Sequence, residues 1–282
     1  MMKKLLALML ALLTVGTLAA CKKDSGENNK NPDAYKEHEV VYTSVTVGKD
    51  IFYFESLDSD SVAITGFKGD TNVHDITIPS TVKTGADESS TRNVTAIADS
   101  AFYGAACLRS VTIPEGITAI GNYAFAKCVQ LETVSFPSSI ATIGDYAFQE
   151  SGLKELNLPQ TCGLTAIGML TFSACNNLTE VVIPGYIKTI GKGAFFNCTG
   201  IQKVTLSEGV ETVGDQAFQY NTAMTDLVLP STFANTNPRE DLVFSGNDLL
   251  YRDHIIFPEG SNIEDYVDQM VLKTEPVEDE AE

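Results

Sequence analysis

Six cysteines and three histidines are the side chains in this sequence best suited to covalent or metal chemistry. A structural zinc site commonly announces itself by a C-x-x-C pair, and none occurs. Cys128, Cys175 and Cys198 fall on one position of an internal repeat, Cys107 lies two places off that position, and Cys162 sits in a loop. Cys175 and Cys198 belong to adjacent repeats and could come within bridging distance. The other reading is a set of small buried thiols beneath an aromatic core. His38, His74 and His254 are scattered, with no nucleophile at a recognisable spacing. G-x-S-x-G, H-E-x-x-H, a phosphate-binding glycine loop and a calcium loop are all missing from the sequence. Asp58 and Asp60 have the spacing of two calcium ligands, but the later ligands do not follow, so they read as surface acids. The sequence therefore points to no cofactor, no metal and no enzyme. A hydrolase would need a paired acid and base or an activated nucleophile, and neither is recognisable.

The elements that carry these residues repeat about every 23 positions. The clearest copy runs from Leu108 to Gln130, the next starts at Leu131, others at Leu153, Leu178 and Ile201, and a partial one at Met224. A period of this size means a solenoid, because one repeat cannot bury its own apolar side. In Val111-Thr112-Ile113-Pro114 the apolar residues alternate with a polar one, the pattern of a strand with Val and Ile inward and Thr outward. The proline cannot donate to a ladder and ends the strand. A second apolar pair ends in glycine at Gly121, Gly144, Gly191 and Gly214, where positive φ is expected. The A-F-x-x-C segment that follows is too short for an independent helix and reads as one helical turn. Its residues Phe125, Phe148, Phe172, Phe195 and Phe218 form a predicted core spine. The expected fold is an α/β repeat solenoid, a right-handed array with short parallel strands on one face and short helical turns on the other.

The pattern L-x-x-V-x-I-P-x-x-I-x-x-I-G-x-x-A-F-x-x-C resembles the BspA-like leucine-rich repeats of bacterial surface proteins. The resemblance covers residues 73–233 and implies recognition of, or adhesion to, host matrix proteins, other cells or glycans. Upstream, Ile76-Thr77-Ile78-Pro79 reads as an entry repeat whose continuation, Ala96-Ile97-Ala98 and Ala101-Phe102, follows a polar insertion over 83–93. Downstream, Ile255 to Tyr266 resembles a family ending, a last strand and short helix that close the stack. Residues 37–72 read as N-terminal capping strands and 234–274 as a C-terminal cap, since the ends of an array must be covered. Three departures stand out: Ser207 replaces the repeat proline, which predicts a looser turn, Ser151 and Asn221 replace the cysteine, and the copy at Leu153 has extra residues around Cys162 and Gly163.

Residues 1–20 have a basic head at Lys3 and Lys4, an apolar run and a small-residue ending, the pattern of a secretory signal. The ending Leu18-Ala19-Ala20-Cys21 resembles the lipobox of bacterial lipoproteins, which implies lipidation at Cys21. Export and a lipid anchor to a bacterial membrane, at the outer membrane or cell surface, are the expected localisation. Residues 21–36 read as a flexible tether and 275–282 as an acidic tail. The formal charge of −18 argues against nucleic acid, whose binding depends on lysine and arginine.

Stacked repeats place equivalent residues in columns about 4.8 Å apart. The outward strand position reads Thr77, Thr112, Ser135, Asn157, Val182, Thr205 and Val228 down the array. Two places earlier come Ser110, Thr133, Glu155, Glu180, Lys203 and Asp226. Repeat proteins commonly bind through the concave sheet. The candidate ligand residues are therefore Thr112, Ser135, Asn157, Val182, Thr205, Glu155, Glu180 and Lys203. Strands also favour such residues for their own sake. The expected partner is an extracellular protein or glycan, with the membrane met only through the lipid. The competing reading is a non-catalytic envelope scaffold facing the periplasm or wall. Tyr123 and Tyr146 form a second expected column beside the Phe turns.

Overall fold

The computed structural model describes residues 16–17, 43–84, 90–234 and 242–270. The expected lipidation site Cys21, the tether, the acidic tail and all of the leader but Gly16–Thr17 lie outside the described residues. The first strand, β1 (Gly16–Thr17), pairs antiparallel with β2 (Thr43–Val47).

Three antiparallel strands open the array: β2, β3 (Asp50–Ser56) and β4 (Ser61–Lys68). Period-two alternation in β3 turns Phe52 and Phe54 into the core. From β4 onward the chain climbs in two parallel ladders. The first contains β5 (His74–Thr77), β8 (Leu108–Thr112) and β10 (Thr133–Ser135), then β13 (Glu180–Ile183), β15 (Lys203–Leu206), β17 (Asp226–Val228) and β18 (Ile255–Ile256). The second ladder takes the I-x-x-I-G segments: β4, β7 (Ser90–Ile97), β9 (Ala119–Ile120) and β11 (Thr142–Ile143), then β12 (Ala166–Ile167), β14 (Thr189–Ile190) and β16 (Thr212–Val213). The polar insertion, whose composition leads to the expectation of a loop, has paired flanks. Its flanks form a hairpin, because β6 (Thr81–Thr84) pairs antiparallel with the first half of β7.

The A-F-x-x-C segment is a turn rather than a helical one. Each copy holds two left-handed residues four apart: Tyr123 and Lys127, Tyr146 and Glu150, Leu170 and Ala174, Gly193 and Asn197, Gln216 and Tyr220. Helical φ is negative throughout, so this alternation forbids a helix. What offsets the left-handed cost is a third ladder between repeats. The N–H groups of Tyr123, Phe125 and Lys127 donate to the carbonyls of Asp145, Ala147 and Gln149 at 3.0, 2.7 and 2.8 Å. The same three-bond pattern joins Tyr146, Phe148 and Glu150 to Met169, Thr171 and Ser173. Among the described residues the one α-helix is α1 (Ile263–Gln269), which seats Tyr266 edge-on against Phe233 at 5.0 Å.

Between the ladders the phenylalanines stack almost face to face. Phe102, Phe125, Phe148, Phe172, Phe195, Phe218 and Phe244 follow one another at 4.8–5.6 Å with interplanar angles of 14° or less. The repeat glycines have a role other than the positive φ expected of them. Gly121, Gly144, Gly191 and Gly214 keep ordinary backbone angles. They are needed because a Cβ would lie 2.5–2.7 Å from the preceding repeat's main chain. Ser207, which replaces the proline, does not loosen its turn: its N–H donates to the Ile183 carbonyl at 3.0 Å and extends the ladder.

The capping strands are tied to the array by His74. Its Nδ1 lies 2.6 Å from the Asn72 carbonyl oxygen and its Nε2 lies 2.8 Å from Asp50 Oδ2. Both partners are acceptors, so both contacts are hydrogen bonds only in the doubly protonated imidazolium. The Asn72 carbonyl first, and the Asp50 carboxylate next, hold the His74 pKa above its ordinary 6.5. A pKa raised by folding adds stability that is complete below the unfolded value and lost as pH rises through the folded one. An NMR titration of His74 is expected to show a midpoint above 6.5, and Asp50→Asn should lower it. A midpoint unchanged by Asp50→Asn would remove the clamp.

Candidate functional site

The outward positions of the first ladder, those over residues 155–158 apart, are held by the pairing beneath them. Ser135 lies opposite Thr112, and Thr133 opposite Ser110, in the β10–β8 register. Further along, Val182 lies opposite Thr205 and Glu180 opposite Lys203. Between each pair of outward residues an inward one is buried, as Val111, Val134, Val181 and Val204 are. Alternate residues are thus committed to the core and cannot rotate without breaking it. Thr112, Ser135, Asn157 and Val182 are exposed, and Thr205 is half-buried.

The expected column divides into two unlike halves. Thr112, Ser135, Glu155 and Asn157 come together around an open depression of about 320 Å³, whose sides also include Ser110, Thr133 and Phe136. Val182 and Thr205 lie beyond it, where the column becomes apolar: Val182 is 45% exposed and Ile256, which ends the column, is 63% exposed. Glu180 and Lys203 belong to neither half as free ligands, because they pair with each other at 3.4 Å. The flanking cations Arg109 and Lys154 are likewise taken by Asp75 at 2.8 Å and Glu132 at 2.9 Å. The Asp75 carboxyl is drawn down to about 2 by the Arg109 guanidinium.

The first ladder lapses beside the depression. Residues 155–158 form no strand, and among the described residues no main-chain hydrogen bond joins them to β10 or β13. The extra residues around Cys162 explain the lapse. They lead the chain away from the ladder, where the Tyr186 hydroxyl donates to the Pro159 carbonyl at 2.5 Å and Gly163 donates to the Ile140 carbonyl at 3.0 Å. The second ladder also lapses here, since β11 and β12 do not pair.

The cysteines take no part in this surface. Cys107, Cys128, Cys162, Cys175 and Cys198 are free thiols. The repeat-position thiols donate upward through the core, from Cys128, Cys175 and Cys198 to the carbonyls of Phe102, Phe148 and Phe172 at 3.0–3.1 Å. Asn247 does the same for Phe218 at 3.0 Å, which explains why an amide can occupy the cysteine position. Burial pushes the Cys128 and Cys175 thiols up to about 12, and Cys198 well above its ordinary range. Such thiols are poor nucleophiles and poor metal ligands at neutral pH. Among the described residues no group of His, Cys, Asp and Glu could hold a metal ion. No helix of the described residues is long and apolar enough to cross a membrane.

Sequence reasoning placed Tyr123 and Tyr146 side by side, and their rings stack at 4.6 Å with 7° between planes. It missed Phe136 and Ile256. Ile256 could have been read from the same V-x-I-P alignment that supplied the other outward residues. Phe136 replaces an ordinary inward Ile, and nothing in its type says that it borders a depression.

The repeat pattern matches the BspA type leucine rich repeat region in six copies, over residues 60–168, 95–225 and 165–266. The chain belongs to the BspA-type leucine-rich repeat family. Its fold is shared with the T. pallidum leucine rich repeat protein TpLRR, at 25% identity and a TM-score of 0.61. That likeness covers 79% of this chain and 95% of the T. pallidum chain. A leucine-rich repeat protein from Bacteroides ovatus is also similar, at 20% identity and a TM-score of 0.43, over 73% of this chain and 69% of that one. No curated protein matches the chain. Proteins built on leucine-rich repeats of this family are typically binding proteins.

Proposed function

We propose that this chain is a surface-displayed recognition or adhesion lipoprotein, held to a bacterial membrane by lipid on Cys21 and binding a host protein or glycan through the outward face of the first ladder. The observation that carries the reading is the column itself. Thr112, Ser135, Asn157 and Val182 project to solvent from a paired or packed backbone. A rigid face loses little conformational entropy when a ligand lands on it. Membership of a surface-protein family supports the same reading, and the leader and its lipobox-like ending support export and anchoring.

Arginines at Asn157, Val182 and Thr205 together are expected to abolish binding to host cells and matrix proteins, while the circular dichroism spectrum and melting temperature stay near those of the parent chain. Binding that persists in the folded triple variant would mean that the first ladder is not the site. Protease shaving of intact cells tests the display. Digestion without lysis is expected, and protection until lysis would favour a scaffold facing the periplasm or wall.

A further inference from the structure

We propose that the depression over β8, β10 and residues 155–159 is a subsite for a neutral saccharide unit; this rests on the binding face inferred above. Three features of the opening lead there. The first is unused main-chain hydrogen-bonding capacity. In an intact ladder the N–H and C=O groups of residues 155–158 would bond to β10 on one side and β13 on the other, and here they do not. Val134, on the edge strand β10, also borders the depression. Main-chain groups left without a partner must bond to water or to a ligand.

The second feature is the side-chain chemistry. Ser110, Thr112, Thr133 and Ser135 supply hydroxyls, Asn157 an amide and Glu155 a carboxylate. All can both orient and satisfy hydroxyl groups, and they sit around one partly apolar wall. That wall is Phe136, whose ring is fixed edge-on against Phe148 at 5.8 Å and 75°. A sugar ring presents hydroxyls at its rim and C–H groups on its face, and it needs both kinds of partner. The volume of about 320 Å³ is at the small end of the range for small-molecule sites.

The third feature is charge. The cations that flank the opening, Arg109 and Lys154, are each paired with a carboxylate of the neighbouring repeat. Glu155 remains as a local negative charge, so sulfated, sialylated or phosphorylated ligands are disfavoured. A basic peptide could be drawn to Glu155 instead. It would gain nothing from the ring of hydroxyls, and the neutral saccharide uses the whole lining.

The test is saturation-transfer NMR on the chain with a panel of neutral oligosaccharides ending in glucose, galactose, mannose, N-acetylglucosamine or fucose. A heparin-derived oligosaccharide and a lysine- and arginine-rich peptide complete the panel. At least one neutral sugar should give transfer, and the heparin fragment should give none. Asn157→Arg is expected to weaken that sugar by about tenfold or more, and Thr189→Arg, on the exposed side of the second ladder, to leave it within about twofold. Asn157→Ala and Glu155→Gln carry the comparison if the arginine variant does not fold. The proposal is overturned if no neutral sugar binds, if the bound sugar is indifferent to the Asn157 and Glu155 changes, or if only the basic peptide binds. The outcome for the wider face is separate. Loss of cell binding in the triple arginine variant with no sugar bound removes the subsite and keeps the face, and retention of cell binding removes the face.

Discussion

Phe172→Ala is expected to lower the unfolding free energy by about 3–5 kcal/mol, the cost of emptying a ring-sized space in a packed core. Phe172 is fully buried and sits mid-column, 5.4 Å from Phe148 and 5.2 Å from Phe195, nearly parallel to both. Each contact of that kind adds about 0.5–1.5 kcal/mol beyond the area buried. The hole cannot close by local collapse. The neighbouring turns are held at fixed spacing by main-chain bonds, among them Phe172 N–H to the Ala194 carbonyl at 2.8 Å and Phe148 N–H to the Thr171 carbonyl at 2.8 Å. Phe172→Leu keeps most of the volume and should cost about 1–2 kcal/mol. Equilibrium urea denaturation of the three proteins checks this, and a loss below about 1 kcal/mol in the alanine variant would show that the ring column does not carry the core.

Gly144→Val should be at least as damaging, at about 3 kcal/mol or more, for a different reason. A Cβ on Gly144 would lie 2.6 Å from the Asn122 main-chain nitrogen and 2.7 Å from the Gly121 carbonyl carbon. Neither is the tip of a flexible side chain, so relief requires that two repeats move apart. The Gly144 N–H donates to the Ile120 carbonyl at 2.8 Å, and that bond would be among the first lost. Gly116 offers the contrast. Its φ is +98° and nothing lies within 4 Å of a Cβ there. Gly116→Ala should cost about 1–2 kcal/mol through backbone conformation alone. Thermal unfolding of both variants separates the two mechanisms, and equal shifts would mean that the close approach at Gly144 is soft.

Much of this architecture can be read from residue order, because each repeat states the same answer. The V-x-I-P alternation defined the first ladder and its inward and outward residues, and the phenylalanine spacing defined the core column. The A-F-x-x-C segment misled because apolar residues three apart suit a helix as well as a turn. Only the left-handed angles at positions such as Tyr123 and Lys127 decide between them, and side chains other than glycine do not advertise those angles. The glycines were legible as necessary but not as to why, since the steric conflict is with the preceding repeat. Phe244 escaped notice because Val243 replaces the alanine and the interval from Phe218 is longer than the repeat period. The outward column could be written down from the alignment alone. The depression could not, because it lies beside a lapse in the ladder. The extra residues near Cys162 were visible, but their effect on the ladder is tertiary.

The lapse of both strand ladders at one place has a mechanical meaning. Elsewhere, tension along the array is shared by several rows of hydrogen bonds that would have to break together. Between β10 and the Leu153 repeat the strand rows shrink to isolated bonds, such as Lys154 N–H to the Glu132 carbonyl at 3.0 Å and Gly163 N–H to the Ile140 carbonyl at 3.0 Å. There the load falls on the turn row and on the Phe148–Phe172 contact. Under tension along the array, the repeats on either side of this joint would part before any others, because fewer rows of hydrogen bonds hold them there.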